Sequence, residues 1–346
     1  MVMGVRVKHV DIAKGISIAL VAMFHTKLRI FVPDIVDPLS LFRLPLFFFL
    51  SGIFFSWAAA PGAFISHKFE ALLKPYLVVL LSLFLLGFIS GEDELAEQLV
   101  GIFYAVGDTI EWIPMWFLPH LFAVFLFAYG LFRWLKFSDW SIGAKALFLL
   151  LLLGVGSEFI DTFWYREVNL LGDGYQLPGL PFSIDIVLIT SVFFLFGYMM
   201  RDQVVNFKPN IWLFLLAVVV FLIIETLTDA RIMLNKRQYD FPLYATIGAI
   251  CGGYVVITFS WLISKSEWLS IIPLRLGEAS LFILIFHNII NTLFYGYFSE
   301  GIVDVQLLTG IAFLCFGLSI SIPLLIRWVV VKSDLLALLF LPAKVR

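Results

Sequence analysis

Ten runs of about 20 apolar residues follow one another along this 346-residue chain, each bounded by charged residues or turn formers. A hydrocarbon layer ~30 Å thick is crossed by about 20 helical residues rising 1.5 Å each. In lipid only a helix or a closed barrel satisfies every backbone N–H and C=O internally. The runs fall at 11–31, 41–59, 72–90, 114–134, 144–160, 182–200, 210–227, 243–263, 279–298 and 305–330. With 62% hydrophobic residues, 14% charged residues and a mean hydropathy of +1.01, the composition lies far from that of a soluble domain. The expected fold is therefore all-α and integral to the membrane, with about ten transmembrane helices. The gaps are too short for a separate soluble body, so residues 1–346 read as a single membrane-embedded domain. The first run is as long as a span and lacks a small-residue cleavage site, which reads as a retained helix rather than a signal peptide. Cys251 and Cys315 both fall inside runs, where a small buried apolar role suits them better than a disulfide or a metal.

Lys and Arg concentrate in cytoplasmic loops of membrane proteins, so their distribution sets an orientation. With the N-terminus placed inside, only Lys27, Arg29, Arg43, Arg166, Arg231, Lys236 and Arg237 of the 23 basic residues fall on the outer side. That bias predicts N-in, C-in topology. Acidic residues gather in two outer gaps, Glu92, Asp93, Glu94, Glu97, Asp108 and Glu111 in one, Glu158, Asp161, Glu167, Asp173 and Asp185 in the next. They carry little topological weight but describe an acidic outer face. The tail after Ser333, with Leu335, Leu336, Leu338, Leu339 and Phe340, reads as a short amphipathic helix on the inner surface.

Ionisable groups within a span are costly and are functional candidates by default. The first run holds Asp11, Lys14 and His25. Eleven residues, about three turns, separate Lys14 from His25, so both lie on one face roughly 16 Å apart along the axis. Asp11 shares that face, three residues before Lys14. Lys14 is expected near the cytoplasmic boundary and His25 beyond the middle of the core. An imidazole there suits general-base chemistry. The plainer readings are a hydrogen-bonded packing histidine and an interfacial ion pair that merely finishes the helix.

The stretch from Asp11-Ile-Ala-Lys14-Gly15 to His25 resembles the opening motif of the acyltransferase-3 family of integral-membrane O-acyltransferases, a basic residue and then, after ten residues, His. Further segments resemble the family in order: Pro45-Leu-Phe-Phe-Phe-Leu-Ser51-Gly52, Trp116-Phe117-Leu118, and Leu180-Pro181-Phe182-Ser-Ile-Asp185 followed by Phe193-Phe194-Leu-Phe-Gly197-Tyr198. The last is Ser280-Leu-Phe-Ile-Leu-Ile-Phe-His287. One departure stands out. Where the family often has two arginines, with two residues between them, before the third helix, this chain has Lys68 and Lys74 at wider spacing.

The resemblance implies transfer of an acyl group, taken as acetyl, from cytoplasmic acetyl-CoA to a hydroxyl of an extracytoplasmic glycan or lipid-linked sugar. It further implies a multi-pass protein of a bacterial inner membrane. His25 is the expected base, with Asp11 and Lys14 in the catalytic set. Lys14, Lys68 and Lys74 are expected near the phosphate-bearing donor, and Arg43, Ser51, Trp116, His120, Asp185 and His287 near substrate. Each has a plainer role. Ser51-Gly52 suits close helix packing, Arg43 suits snorkelling to the interface, and His120 and His287 suit satisfied core histidines. In the outer gaps Trp112, Trp164, Tyr165 and Tyr175 beside Glu111, Asp161, Asp173 and Asp185 suit a sugar, and equally an aromatic belt. No metal and no nucleic-acid partner is expected. A transporter or flippase of a lipid-linked sugar would also account for many spans with buried ionisable groups, and a non-catalytic membrane assembly partner is a third reading.

Overall fold

Leucine, phenylalanine and isoleucine fill the apolar runs, and the backbone answers with helix in each. A computed structural model describes residues 7–91, 93, 95–170 and 173–343, with the side chains of 169–175 not described. Arg6, Glu92, Glu94, Lys344 and Arg346 of the charge pattern, and the side chains of Asp173 and Tyr175, thus lie outside the described residues. The helices are α1 (Lys8–Phe24), α2 (Arg43–Ile53), α3 (Pro61–Ser90), α4 (Leu95–Tyr104), α5 (Phe117–Trp134) and α6 (Ile142–Phe159). There follow α7 (Val187–Met199), α8 (Ile211–Leu227), α9 (Pro242–Ser264), α10 (Glu267–Glu278), α11 (Ser280–Ser299), α12 (Val305–Lys332) and α13 (Asp334–Phe340).

Among the described residues seven helices are long and apolar enough to cross a membrane, α7 being counted with the turn before it, as Pro181–Met199. An eighth crossing is available if Pro33–Leu41 and α2, bent by 42°, act as one span. The two other expected spans, α1 and α8, are 17 residues each. They differ in what they face: α1 has no exposed side chain and packs inside the first unit, whereas on α8 Trp212 and Leu227 are each 77% exposed, a coat that only lipid or a partner would cover.

The expected first span, 11–31, ends earlier than its hydrophobicity suggests. Thr26 donates its hydroxyl to the Met23 carbonyl at 2.7 Å and accepts the Leu28 N–H at 3.3 Å, closing the last turn with a side chain in place of the next helical bond. His25 therefore caps α1 instead of sitting within it. Pro33, which lacks an N–H, opens a second short turn beyond. In α3 a π turn at Phe69–Leu73 lets the Lys74 N–H reach the Phe69 carbonyl just before Pro75 removes the next donor.

The chain divides into two compact units, one of Met1–Phe54, Phe196–Ile232 and Tyr239–Val329, the other of Phe55–Leu195, Met233–Gln238 and Val330–Arg346. In the first unit α1 packs against α10, α9, α2 and α11. Its crossing with α10 is backbone on backbone: a Cβ at Gly15 would strike the Pro273 carbonyl, and one at Gly277 the Asp11 carbonyl. In the second unit an antiparallel hairpin of β1 (Trp164–Leu170) and β2 (Asp173–Pro178), between α6 and α7, pairs Glu167 with Gln176. The tail helix α13 starts at the Ser333 cap, whose hydroxyl accepts the Leu336 N–H at 3.4 Å, and packs on α3.

Candidate active site

Asp11 and Lys14 come out on one face of α1, as one helical turn requires, with Nζ 3.7 Å from Oδ1. Both line a cleft of about 530 Å³ in the first unit, together with Val7, Phe47, Ser51 and Glu278. The Lys14 ammonium lies 5.4 Å from the centre of the Phe54 ring. Ser51 donates its hydroxyl to the Phe47 carbonyl at 2.8 Å, so its proton is engaged within its own helix. Glu278 brings two further cations close, Arg275 at 3.5 Å and Arg327 at 3.8 Å. A smaller adjoining cleft of about 370 Å³ is bounded by Lys8, Arg275 and Glu278. Sequence reading had counted Arg275 and Arg327 only as cytoplasmic charge. The 264–279 gap mixes charge with apolar residues and holds Pro273, which hid the helix that presents Arg275 and Glu278.

The other end of α1 carries a second cluster. The His25 and His287 rings lie 5.3 Å apart, tilted by 58°. His287 directs Nδ1 to the Ile283 carbonyl at 2.7 Å and the Leu284 carbonyl at 3.1 Å. Carbonyls only accept, so Nδ1 holds the proton and Nε2 is left with its lone pair. Among the described residues that Nε2 is buried with no hydrogen-bond partner, and so is Asn291 Oδ1 one turn further along α11. Arg43, only 3% exposed, sets its guanidinium 3.3 Å from the centre of the Phe24 ring. Arg29 approaches the same ring at 4.4 Å and pairs with Asp37 at 2.7 Å. Arg43 Nε and Nη1 are buried and unpaired among the described residues. Each such group costs about 1–3 kcal/mol. Ser17, donating to the Arg43 carbonyl at 3.4 Å, ties this cluster to the middle of α1.

Five expected site residues belong to the second unit and are engaged there. His120 points Nδ1 at the Phe182 carbonyl, 3.3 Å away, and Nε2 at the Thr190 hydroxyl, 3.0 Å away, with the Trp116 ring 5.5 Å off and tilted by 33°. Asp185 forms a two-point pair with Arg237, Oδ2 to Nε at 2.8 Å and Oδ1 to Nη2 at 3.1 Å, both side chains wholly buried. Asp185 also accepts the Leu180 N–H, and Arg237 also reaches the Ser183 hydroxyl. Lys68 places its ammonium 3.5 Å from the Phe125 ring centre, and Lys74 donates to the Leu341 carbonyl of the tail. Arg237 escaped sequence reading because its partner is 52 residues away, with no local pattern joining them. Between the helices Asp108 is held by Lys236 at 3.0 Å and by the Tyr165 hydroxyl at 2.6 Å, and the latter bond pushes the Tyr165 pKa up. Among the described residues no three His, Cys, Asp or Glu side chains gather as metal ligands.

Comparison with known proteins adds a family to this geometry. A family model described as an acyltransferase domain matches residues 7–328, a stretch that runs through both units. No curated protein and no solved structure matches the chain. The chain is a helical membrane protein that belongs to the acyltransferase-3 family.

Proposed function

We propose that the protein transfers an acetyl group from cytoplasmic acetyl-CoA to a hydroxyl of an extracytoplasmic glycan, with His25 as general base. The observation that carries this reading is the pair of clusters on α1: an open cleft with Lys14, Asp11 and nearby Arg275 and Arg327 at one end, and His25 with His287 and Arg43 at the other. The orientation follows the basic bias of the loops, N-in and C-in, with α1 and α8 completing ten spans. A charged nucleotide cannot enter lipid, so its phosphates stay with the inner cations while the thin pantetheine arm extends toward His25. Lys68 and Lys74, already engaged in the second unit, contribute positive potential on the inner side. Trp116, His120 and Asp185, engaged within the second unit, are the residues that the family resemblance implies for the acceptor.

In the reaction the acceptor hydroxyl oxygen attacks the thioester carbonyl while its proton passes to His25. The C–S bond breaks, an O–C ester bond forms, and His25 returns the proton to the departing thiolate. The two unpaired Arg43 N–H groups suit the carbonyl oxygen as charge develops on it. Ser51, whose proton is committed to Phe47, is the weaker nucleophile candidate, which favours direct transfer.

The test is purified protein in detergent with labelled acetyl-CoA and candidate glycans. CoA release with ester formation, falling about 10²–10⁴-fold in His25→Ala, supports the proposal. Movement of an unmodified glycan with no acyl consumption would overturn it in favour of the transporter.

A further inference from the structure

Two backbone carbonyls settle which His287 nitrogen carries the proton, and that leaves a buried lone pair in need of a donor. Nδ1 is committed to Ile283 and Leu284. Nε2 has no partner among the described residues, in a side chain that is only 1% exposed. The nearest ring able to donate is His25. An N–H···N bond of about 3 Å between two imidazoles puts their centres roughly 5 Å apart, allowing for the ring radii. The observed spacing is 5.3 Å. His25 stands at the helix cap, φ −88° and ψ 3°, partly exposed, so a turn about its own side-chain bonds brings a nitrogen to His287 without moving α1.

We infer that His287 is a positioning residue for His25: its Nε2 accepts a hydrogen bond from one His25 nitrogen and leaves the other free as the base. This rests on the reading of His25 as the base. A neutral imidazole can hold its proton on either nitrogen, and only one of the two forms presents a lone pair to the acceptor hydroxyl. An acceptor fixed by the α11 backbone selects that form. It also strengthens its hold when His25 takes the acceptor's proton, because a charged donor makes the stronger bond. The proton itself stays on His25 until the thiolate receives it, and His287 remains neutral throughout. The charged groups around this pair are Arg43 and Arg29 on the Phe24 ring, and Asp37, which pairs with Arg29. They leave the pair in a net positive field, where a neutral hydrogen-bond acceptor offsets part of the repulsion that the imidazolium meets.

Two measurements test this. In purified full-length protein, His287→Phe keeps the ring volume and loses the acceptor, whereas His287→Gln places an amide oxygen near the position of Nε2. The expected result is a kcat about 100-fold lower for His287→Phe, with KM for acetyl-CoA and acceptor within about 3-fold, and a kcat within about 10-fold of the parent for His287→Gln. A merely structural histidine predicts the reverse order, since Gln is the poorer fit to a buried site, and that order would overturn the inference. Nitrogen NMR of ¹⁵N-histidine protein needs no variant to fold: the chain has 5 His. The expected spectrum has His287 protonated at Nδ1 alone and His25 in a single neutral tautomer. A protonated Nε2 on His287, or a mixture at His25, would overturn it. His25→Ala separates the two levels of argument. If it keeps full activity the base assignment fails and the inference with it; if it is inactive while His287→Phe is fully active, only the inference fails.

Discussion

A guanidinium that is 3% exposed, pressed on the ring of Phe24 and with two N–H bearing nitrogens unpaired, is an expensive way to fill the space at Arg43. A buried cation replaced by an apolar side chain of similar length often leaves stability unchanged or raises it by about 1–4 kcal/mol. Arg43→Met is therefore expected to melt no lower than the parent in detergent while acyl transfer falls about 100-fold, the usual loss when an oxyanion donor is removed. Melting and initial rates measured on one preparation decide it, and a strongly destabilised variant would make Arg43 structural instead. Asp185 stands in the opposite position. Among the described residues its carboxylate is the one counter-charge paired with a wholly buried Arg237, so Asp185→Asn strands that cation and is expected to cost about 3–5 kcal/mol. Asp185→Leu combined with Arg237→Met removes both charges and is expected to recover much of the loss, which urea or thermal unfolding will show. The Asp11–Lys14 pair, 3.7 Å apart and partly exposed, is worth under about 1 kcal/mol, so any large effect of Asp11→Asn on turnover reflects chemistry and not folding. Charges in lipid announced themselves in sequence at Asp11, Lys14 and His25. The partners of Arg43 and Asp185 did not, because a phenyl ring nineteen positions away and an arginine 52 positions away leave no periodic trace.

The helices were legible where hydrophobicity alone decides them. The runs at 114–134, 243–263 and 279–298 end within a few residues of the observed helices. Element ends set by side chains were not: Thr26 stops α1 five residues before the expected end of its run at 31, and the π turn of α3 begins in residues too charged to read as span. The crossing of α1 and α10 was also hidden, although Gly15 and Gly277 are its signal once both helices are known. There the backbones touch, so bulk at Gly15 must push α10 aside and carry Lys14 out of the cleft wall. Gly15→Leu is expected to destabilise the protein by about 1–3 kcal/mol and to weaken use of acetyl-CoA together with folding. Gly317→Leu on α12, where a Cβ meets nothing within 4 Å, is the matched control and is expected to change stability by under about 0.5 kcal/mol. Equal losses in the two variants, read by thermal melting in detergent, would mean that the crossing does not hold α1 in place.

For the molecule as a whole the question is whether α1 crosses the membrane at all. Its 17 residues reach about 26 Å, a few Å short of a ~30 Å core. Local thinning covers such a shortfall at a fraction of a kcal/mol per Å, and Lys8 and Lys14 can extend their amines toward the inner interface. The short turns at Leu28–Phe31 and Pro33–Val36 continue the chain beyond His25. If α1 crosses, its two clusters face the two sides and a donor and an acceptor can meet from opposite compartments. If it lies along the interface instead, both clusters face one side, and every later loop changes sides. Single cysteines introduced into a Cys251→Ser, Cys315→Ser background and probed with an impermeant thiol reagent distinguish these arrangements. Labelling from outside is expected at Thr162 between α6 and α7 and at Ser299, the last residue of α11, with Ser66 in the first turns of α3 and Ser333 before the tail helix protected until the membrane is opened. The same labelling pattern at Thr162 and Ser66 would remove the alternation on which the route along α1 depends. An inverted pattern would place the Lys14 cleft outside, away from any nucleotide donor, and the transfer reaction proposed for His25 would then need a donor that is free of a charged nucleotide.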